Sequence, residues 1–167
     1  MQKDIFERAY EIIGDLTPMK TDCGAMCDAA CCETDEDGQG GVYLFPGEEA
    51  CIGECEWGRI EQDAFAPMLV CDDWCDRDRR PFACRIFPLT PVKNAEGKWT
   101  VRMDARARPM CPLVRSGVKG LDPEFARAVV KAIRVIAKDP EGEAFLEKWV
   151  ALEFCSVIHT MLLMLLT

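Results

Sequence analysis

The chain has 167 residues, 49% hydrophobic and 29% charged, ordinary values for a globular domain able to bury a core. Its 12 Gly and 10 Pro exclude a collagen-like or low-complexity chain. A net charge of −9 argues against a nucleic-acid binder, whose affinity rests on cationic contacts to phosphate.

In chain order, residues 3–16 predict a helix, with Ile5, Ala9, Ile12, Ile13 and Leu16 on one face and Pro18 beyond its end. Residues 20–41 carry four cysteines, an acidic run and three glycines, and predict an irregular loop. Val42 to Phe45 predicts a short strand, and Pro46-Gly47-Glu48-Glu49 a helical turn. Residues 57–62 and 67–71 predict two more short strands, and 72–84 another polar, cysteine-bearing loop. Ile86 to Val92 and Trp99 to Asp104 predict a hairpin around Asn94–Gly97, with Pro88 and Pro91 placing its first strand at an edge.

The last third is helical. Asp122-Pro123-Glu124 is an N-cap, an N1 proline and a first-turn acid in order, followed by an apolar face of Phe125, Val129, Ala132, Ile133 and Ile136. Asp139-Pro140-Glu141 repeats the start signal for a second helix bearing Leu146, Trp149, Val150 and, further on, Phe154 and Met161. Val150 to Leu166 is mostly apolar but short for a membrane span; it predicts a buried helix, or one that docks a protein partner or a second copy. The expectation is one α+β domain over 1–167. A metal-ordered cysteine region (20–115) with short strands and a hairpin packs on the N-terminal helix and a C-terminal helical pair (122–166).

Charge is unevenly spread. Residues 1–75 hold 4 Lys/Arg against 18 Asp/Glu, whereas residues 76–108 hold 9 against 4. The basic middle reads as a complement to the acidic first half, or as a face for an anionic partner.

The anomaly is 11 cysteines beside one histidine, His159, which sits on an apolar helix and reads as a core residue. The start of the chain, Met1 to Arg8, has no apolar stretch of signal length. The expected compartment is therefore the reducing cytosol, where stable disulfides are rare. An odd count also disfavours a complete disulfide framework.

Eight cysteines fall in predicted loops or turns: Cys23, Cys27, Cys31, Cys32, Cys71, Cys75, Cys84 and Cys111. Thiols placed for packing would follow helix or strand periodicity. Closely spaced thiols in turns instead converge on a soft cation, and bound cations would offset thiolate charge in this acidic half. Eight thiolates suit two four-thiolate zinc sites, two iron–sulfur clusters, or one cluster with four further thiols. The bacterial ferredoxin spacing is absent. Cys51 and Cys55, four apart, are an extra ligand pair or small packed residues, and Cys155 reads as core. Arg80 and Arg85 flank the second group and are candidates to donate to cluster sulfur, or to pair with Asp72, Asp73, Asp76 or Asp78.

Cys23-x3-Cys27-x3-Cys31-Cys32 followed by Arg80-Pro81-Phe82-Ala83-Cys84-Arg85-Ile86-Phe87-Pro88-Leu89 resembles the YkgJ-type cysteine-cluster (CxxCxxCC) family, a zinc- or iron-chelating domain that includes flagellin lysine N-methylase. Leu44 to Glu49 and Cys111-Pro112-Leu113 resemble its larger, methylase-like members. The resemblance spans about residues 20–115. It implies that the same eight cysteines bind metal, as iron–sulfur or zinc. Gaps of three residues stand where the family name has two, and no Gly-rich nucleotide loop is present. Three functions follow: a metal- or cluster-binding protein for electron transfer or cofactor handling, a protein-lysine methyltransferase-like enzyme, and a zinc-stapled interaction module.

Overall fold

The computed structural model describes residues 3–33, 41–72 and 75–165; the side chains of Lys3 and of 153–165 lie outside the described residues, and with them Cys155 and His159. Both helices and small antiparallel sheets are present, as the α+β expectation requires.

Helix α1 (Lys3–Ile13) forms on its amphipathic spacing and stops at Gly14, whose φ of +50° suits a residue without a Cβ. It buries Phe6, Ala9 and Ile13, while Ile5, Ile12 and Leu16 lie at the rim. Two short turns follow, helix α2 (Gly24–Cys27) and a 3-10 turn (Ala30–Cys32). Strand β1 (Val42–Tyr43), helix α3 (Glu49–Ile52), strand β2 (Gly58–Gln62) and strand β3 (Pro67–Cys71) come next. The three strands form an antiparallel sheet in the order β1-β3-β2, with Val42 opposite Leu69 and Gly58 opposite Cys71. A Cβ on Gly58 would lie 2.5 Å from the Val70 carbonyl, so glycine is what allows the strands to close at Cys71.

The predicted loop over 72–84 is partly helical. A 3-10 turn (Arg77–Arg79) leads into helix α4 (Phe82–Ile86), which takes in both Cys84 and Ile86. Strands β4 (Leu89–Lys93) and β5 (Trp99–Met103) then make the expected hairpin, with Pro91 opposite Val101. Two strands leave both as edges, so Pro91 costs little.

Helix α5 (Pro123–Ile136) starts where predicted: the Asp122 carboxylate accepts from the Glu124 and Phe125 amides. All five residues of its predicted face are buried. Asp139 caps helix α6 (Pro140–Leu165) in the same way, through the Glu141 and Gly142 amides. Among the described residues no helix is long and apolar enough to cross a membrane.

Helices α1 and α5 pack against each other, and with α4, β4, β5 and the first turns of α6 they enclose the main core. A smaller core of Leu44, Ile52, Trp57 and Leu69 lies against Cys55, Cys71 and Cys75. Leu44 and Phe45 are consecutive but enter different cores. The Phe45 ring meets Phe6, Phe82, Phe145 and Trp149 at centroid distances of 5.7, 5.5, 4.6 and 5.3 Å.

One buried polar knot ties these parts together. Glu48 is fully buried and accepts from the Tyr10 hydroxyl at 2.5 Å, the Phe45 amide at 2.8 Å and the Phe82 amide at 2.6 Å. It joins α1, the segment after β1 and the start of α4. Burial, and then Glu48, push the Tyr10 phenol well above its ordinary value of about 10. The folded chain keeps that proton where the unfolded chain releases it, so stability is expected to fall as pH rises past about 10. Tyr10→Phe should flatten that decline. Urea melts of both proteins across this range measure it, and an unchanged slope would show that Tyr10 is not its source.

Candidate metal centre

The eight thiols singled out above line two adjoining cavities. The first, of about 70 Å³, is bordered by Cys23, Cys27, Cys31, Cys84 and Cys111. The second, of about 90 Å³, is bordered by Cys31, Cys32, Cys71, Cys75 and Cys84. Arg80 and Phe87 line both.

Local structure explains the placement. Cys23 caps α2 and Cys27 ends it, one turn apart, so both face one side, with Cys27 Sγ 3.8 Å from the Cys23 carbonyl. Asp28 and Ala29 then take left-handed backbone, with φ of 52° and 55°. Non-glycine residues there cost on the order of 1 kcal/mol each and persist where surrounding structure demands them. They turn the chain so that the 3-10 turn sets Cys31 and Cys32 between the cavities. Cys71 ends β3, Cys84 rides on α4, and Cys111 precedes the 3-10 turn Pro112–Ser116. The expectation of loop thiols is thus corrected at Cys27 and Cys84, which lie in short helices, while Cys71 ends the strand predicted over 67–71.

The thiols shift one another's titration. The Cys23 thiol is pushed up by burial, by Asp22, and by its thiol neighbours Cys27 and Cys111. Burial, then Cys75 and Cys32, take Cys71 up to about 11. Burial, then Cys71 and Cys32, push Cys84 up as well. Cys75 rises chiefly through its hydrogen bond to Cys32, and Cys32 through its own bond to Cys31, whose thiol is lowered by it. Cys31 also feels Cys84, Cys27 and Cys23. Cys23, Cys27 and Cys111 border only the first cavity, Cys32, Cys71 and Cys75 only the second, and Cys31 and Cys84 border both. A run of S–H···S contacts from Cys75 through Cys32 to Cys31 crosses between the cavities.

The two candidate arginines behave differently. Arg80 Nε donates to Cys75 Sγ at 3.2 Å, the sulfur contact expected of it. Arg85 donates instead to the Arg80 carbonyl at 2.8 Å and the Asp78 carbonyl at 2.5 Å, and its guanidinium lies 4.3 Å from the Tyr10 ring centroid. Two neighbours have roles that residue spacing did not signal. Arg77 meets the Asp22 carboxylate at 3.3 Å, and Arg79 clamps the Ile52 and Glu54 carbonyls. Cys51 and Cys55 do not form a pair. Gly53, with φ of +63°, ends α3 between them; Cys51 packs on the main core, while Cys55 lies near Cys71 and donates to the Gly58 carbonyl at 3.4 Å.

The ten cysteines among the described residues are all free thiols. Among those residues no three Cys, His, Asp or Glu side chains stand in the tight grouping that holds a single ion. Donor chemistry nevertheless fits a soft metal: each cavity is bordered by several thiols, and one sulfur already accepts a guanidinium N–H. Searches of family models, of curated proteins and of solved structures find no match to this chain.

Proposed function

We propose that this chain is a metal-binding protein with two thiolate-ligated centres. Cys23, Cys27, Cys31 and Cys111 would hold the first, and Cys32, Cys71, Cys75 and Cys84 the second. The observation that carries the reading is the convergence of eight thiols from four chain segments on two adjoining cavities. Few other arrangements make such a concentration of thiols useful in a reducing compartment.

Iron–sulfur clusters are the favoured occupants. The thiols of each set border one cavity. The Arg80 contact to Cys75 is also of the kind that tunes a cluster's potential. A bound cluster would supply one-electron exchange. The chain's own part is to supply thiolates, to shield them with Phe87 and the small core, and to offset their charge with Arg80 and Arg77. Binding would draw each set together and order the turns that apolar packing leaves loose.

Purification without oxygen tests this, with a visible spectrum and assays for iron, acid-labile sulfide and zinc. A brown protein with stoichiometric sulfide is expected. A colourless protein with two zinc ions would overturn the cluster assignment and leave the thiol sites. No bound metal after anoxic reconstitution would overturn both.

A further inference from the structure

The outer face of α5 carries a run of cations that the thiol centres do not use. Arg127, Lys131, Arg134 and Lys138 are all exposed. Their spacings of four, three and four keep them in one stripe along a 3.6-residue helix. The stripe borders an open groove of about 610 Å³ between α5 and β5, floored by Val101, Val118, Ala126 and Val130.

The charge pattern is one-sided. Among the described residues no carboxylate lines the groove. Arg134 donates Nε to the Trp99 carbonyl at 3.0 Å, and no described carboxylate pairs with Arg127, Lys131 or Lys138. Elsewhere the fold does mix signs, as where Glu143 and Glu147 of α6 hold Lys93 of β4. Like charges three and four apart weaken a helix. The chain has 29 acids against 20 Lys/Arg, yet no described acid lines this groove.

We infer that the groove docks an acidic, amphipathic segment of a partner protein. Its carboxylates would meet the four cations, and its small apolar side chains would cover the valine and alanine floor. From 127 to 138 the stripe is about 16 Å long, roughly three turns of a partner helix. The lining has no aromatic ring for base stacking and no Asn or Gln for base edges. It also lacks the Trp, Phe or Leu that would sink into a membrane beside the cations. A protein segment that supplies both carboxylates and apolar groups satisfies the stripe and the floor together.

The test uses the whole 167-residue chain and is independent of metal content. A fluorescent helical peptide of about 16 residues, built of Glu, Ala and Leu with its glutamates on one face, is titrated at low salt. A Gln-for-Glu analogue, a single-stranded oligonucleotide and phosphatidylserine vesicles are titrated beside it. The acidic peptide is expected to bind best and the Gln analogue to fail. The double change Arg127→Glu with Lys131→Glu should weaken binding by about tenfold or more. Arg127→Gln with Lys131→Gln, which adds no acid, should weaken it less, and circular dichroism should show native helix in both. Absence of peptide binding, binding unaltered by charge reversal, or tighter binding of the oligonucleotide or vesicles would each overturn the assignment.

Discussion

Replacing Cys84 with serine is expected to halve the metal bound per chain while the helical core stays folded. Cys84 sits on α4 and borders both cavities, but its strongest thiol neighbours are Cys71 and Cys32, so under the proposed assignment its loss breaks the second set and leaves the first complete. Burial already opposes charge at this thiol, and a serine hydroxyl is a far poorer ligand for a soft metal. Cys23→Ser should remove the other half, and the double variant nearly all of it. Cys51→Ser is the control: Cys51 packs on the main core and lines neither cavity, so full metal content is expected. Metal and sulfide assays on the four proteins, with far-ultraviolet circular dichroism, measure this. A Cys84→Ser protein with undiminished metal would sink the two-set assignment.

Glu48→Ala is expected to cost about 3–5 kcal/mol of stability, comparable with the whole margin of a marginally stable domain. The fully buried carboxyl satisfies three donors at 2.5, 2.8 and 2.6 Å, and alanine leaves all of them without an acceptor away from water. Glu48→Gln keeps the shape but turns one amide N–H₂ toward a donor, so about half that loss is expected. Burial pushes the Glu48 carboxyl above the usual carboxylate range, against the pull of its donors. Its contribution is therefore greatest where the group is protonated and fades as pH rises through that raised value. Urea melts provide the measure. A midpoint for Glu48→Ala equal to that of the parent would show that the knot does not hold the fold.

The helical third was legible because its signals are local. Asp122-Pro123-Glu124 and Asp139-Pro140-Glu141 announce helix starts within three residues, and the structure uses both aspartates as caps. Helix α4 was not legible: its five residues, Phe82–Ile86, are too few to show a period. In α1 the predicted face of Ile5, Ala9, Ile12, Ile13 and Leu16 is buried at Ala9 and Ile13, while packing against α5 buries Phe6 and leaves Ile5, Ile12 and Leu16 at the rim. The eight candidate thiols could be picked out by type and spacing, but their division into two sets could not. That division depends on the β2–β3 pairing, which sets Cys71 opposite Gly58, and on Glu48 fixing the start of α4 some 34 residues away along the chain. Arg80 and Arg85 look alike in the sequence; only the fold gives one a sulfur and the other two backbone carbonyls.

Cys31 and Cys32 share a peptide bond; Cys31 borders both cavities and Cys32 the second, and the proposed assignment puts them in different sets. Under the two-centre reading, the first occupant to bind fixes this dipeptide and so bears much of the ordering entropy for both sites. The second then binds more tightly, without any contact between the occupants. Filling would be cooperative, and half-filled chains would be scarce. When metal is limiting, such a population divides into filled and empty molecules, so its response to metal supply is steeper than that of two separate sites.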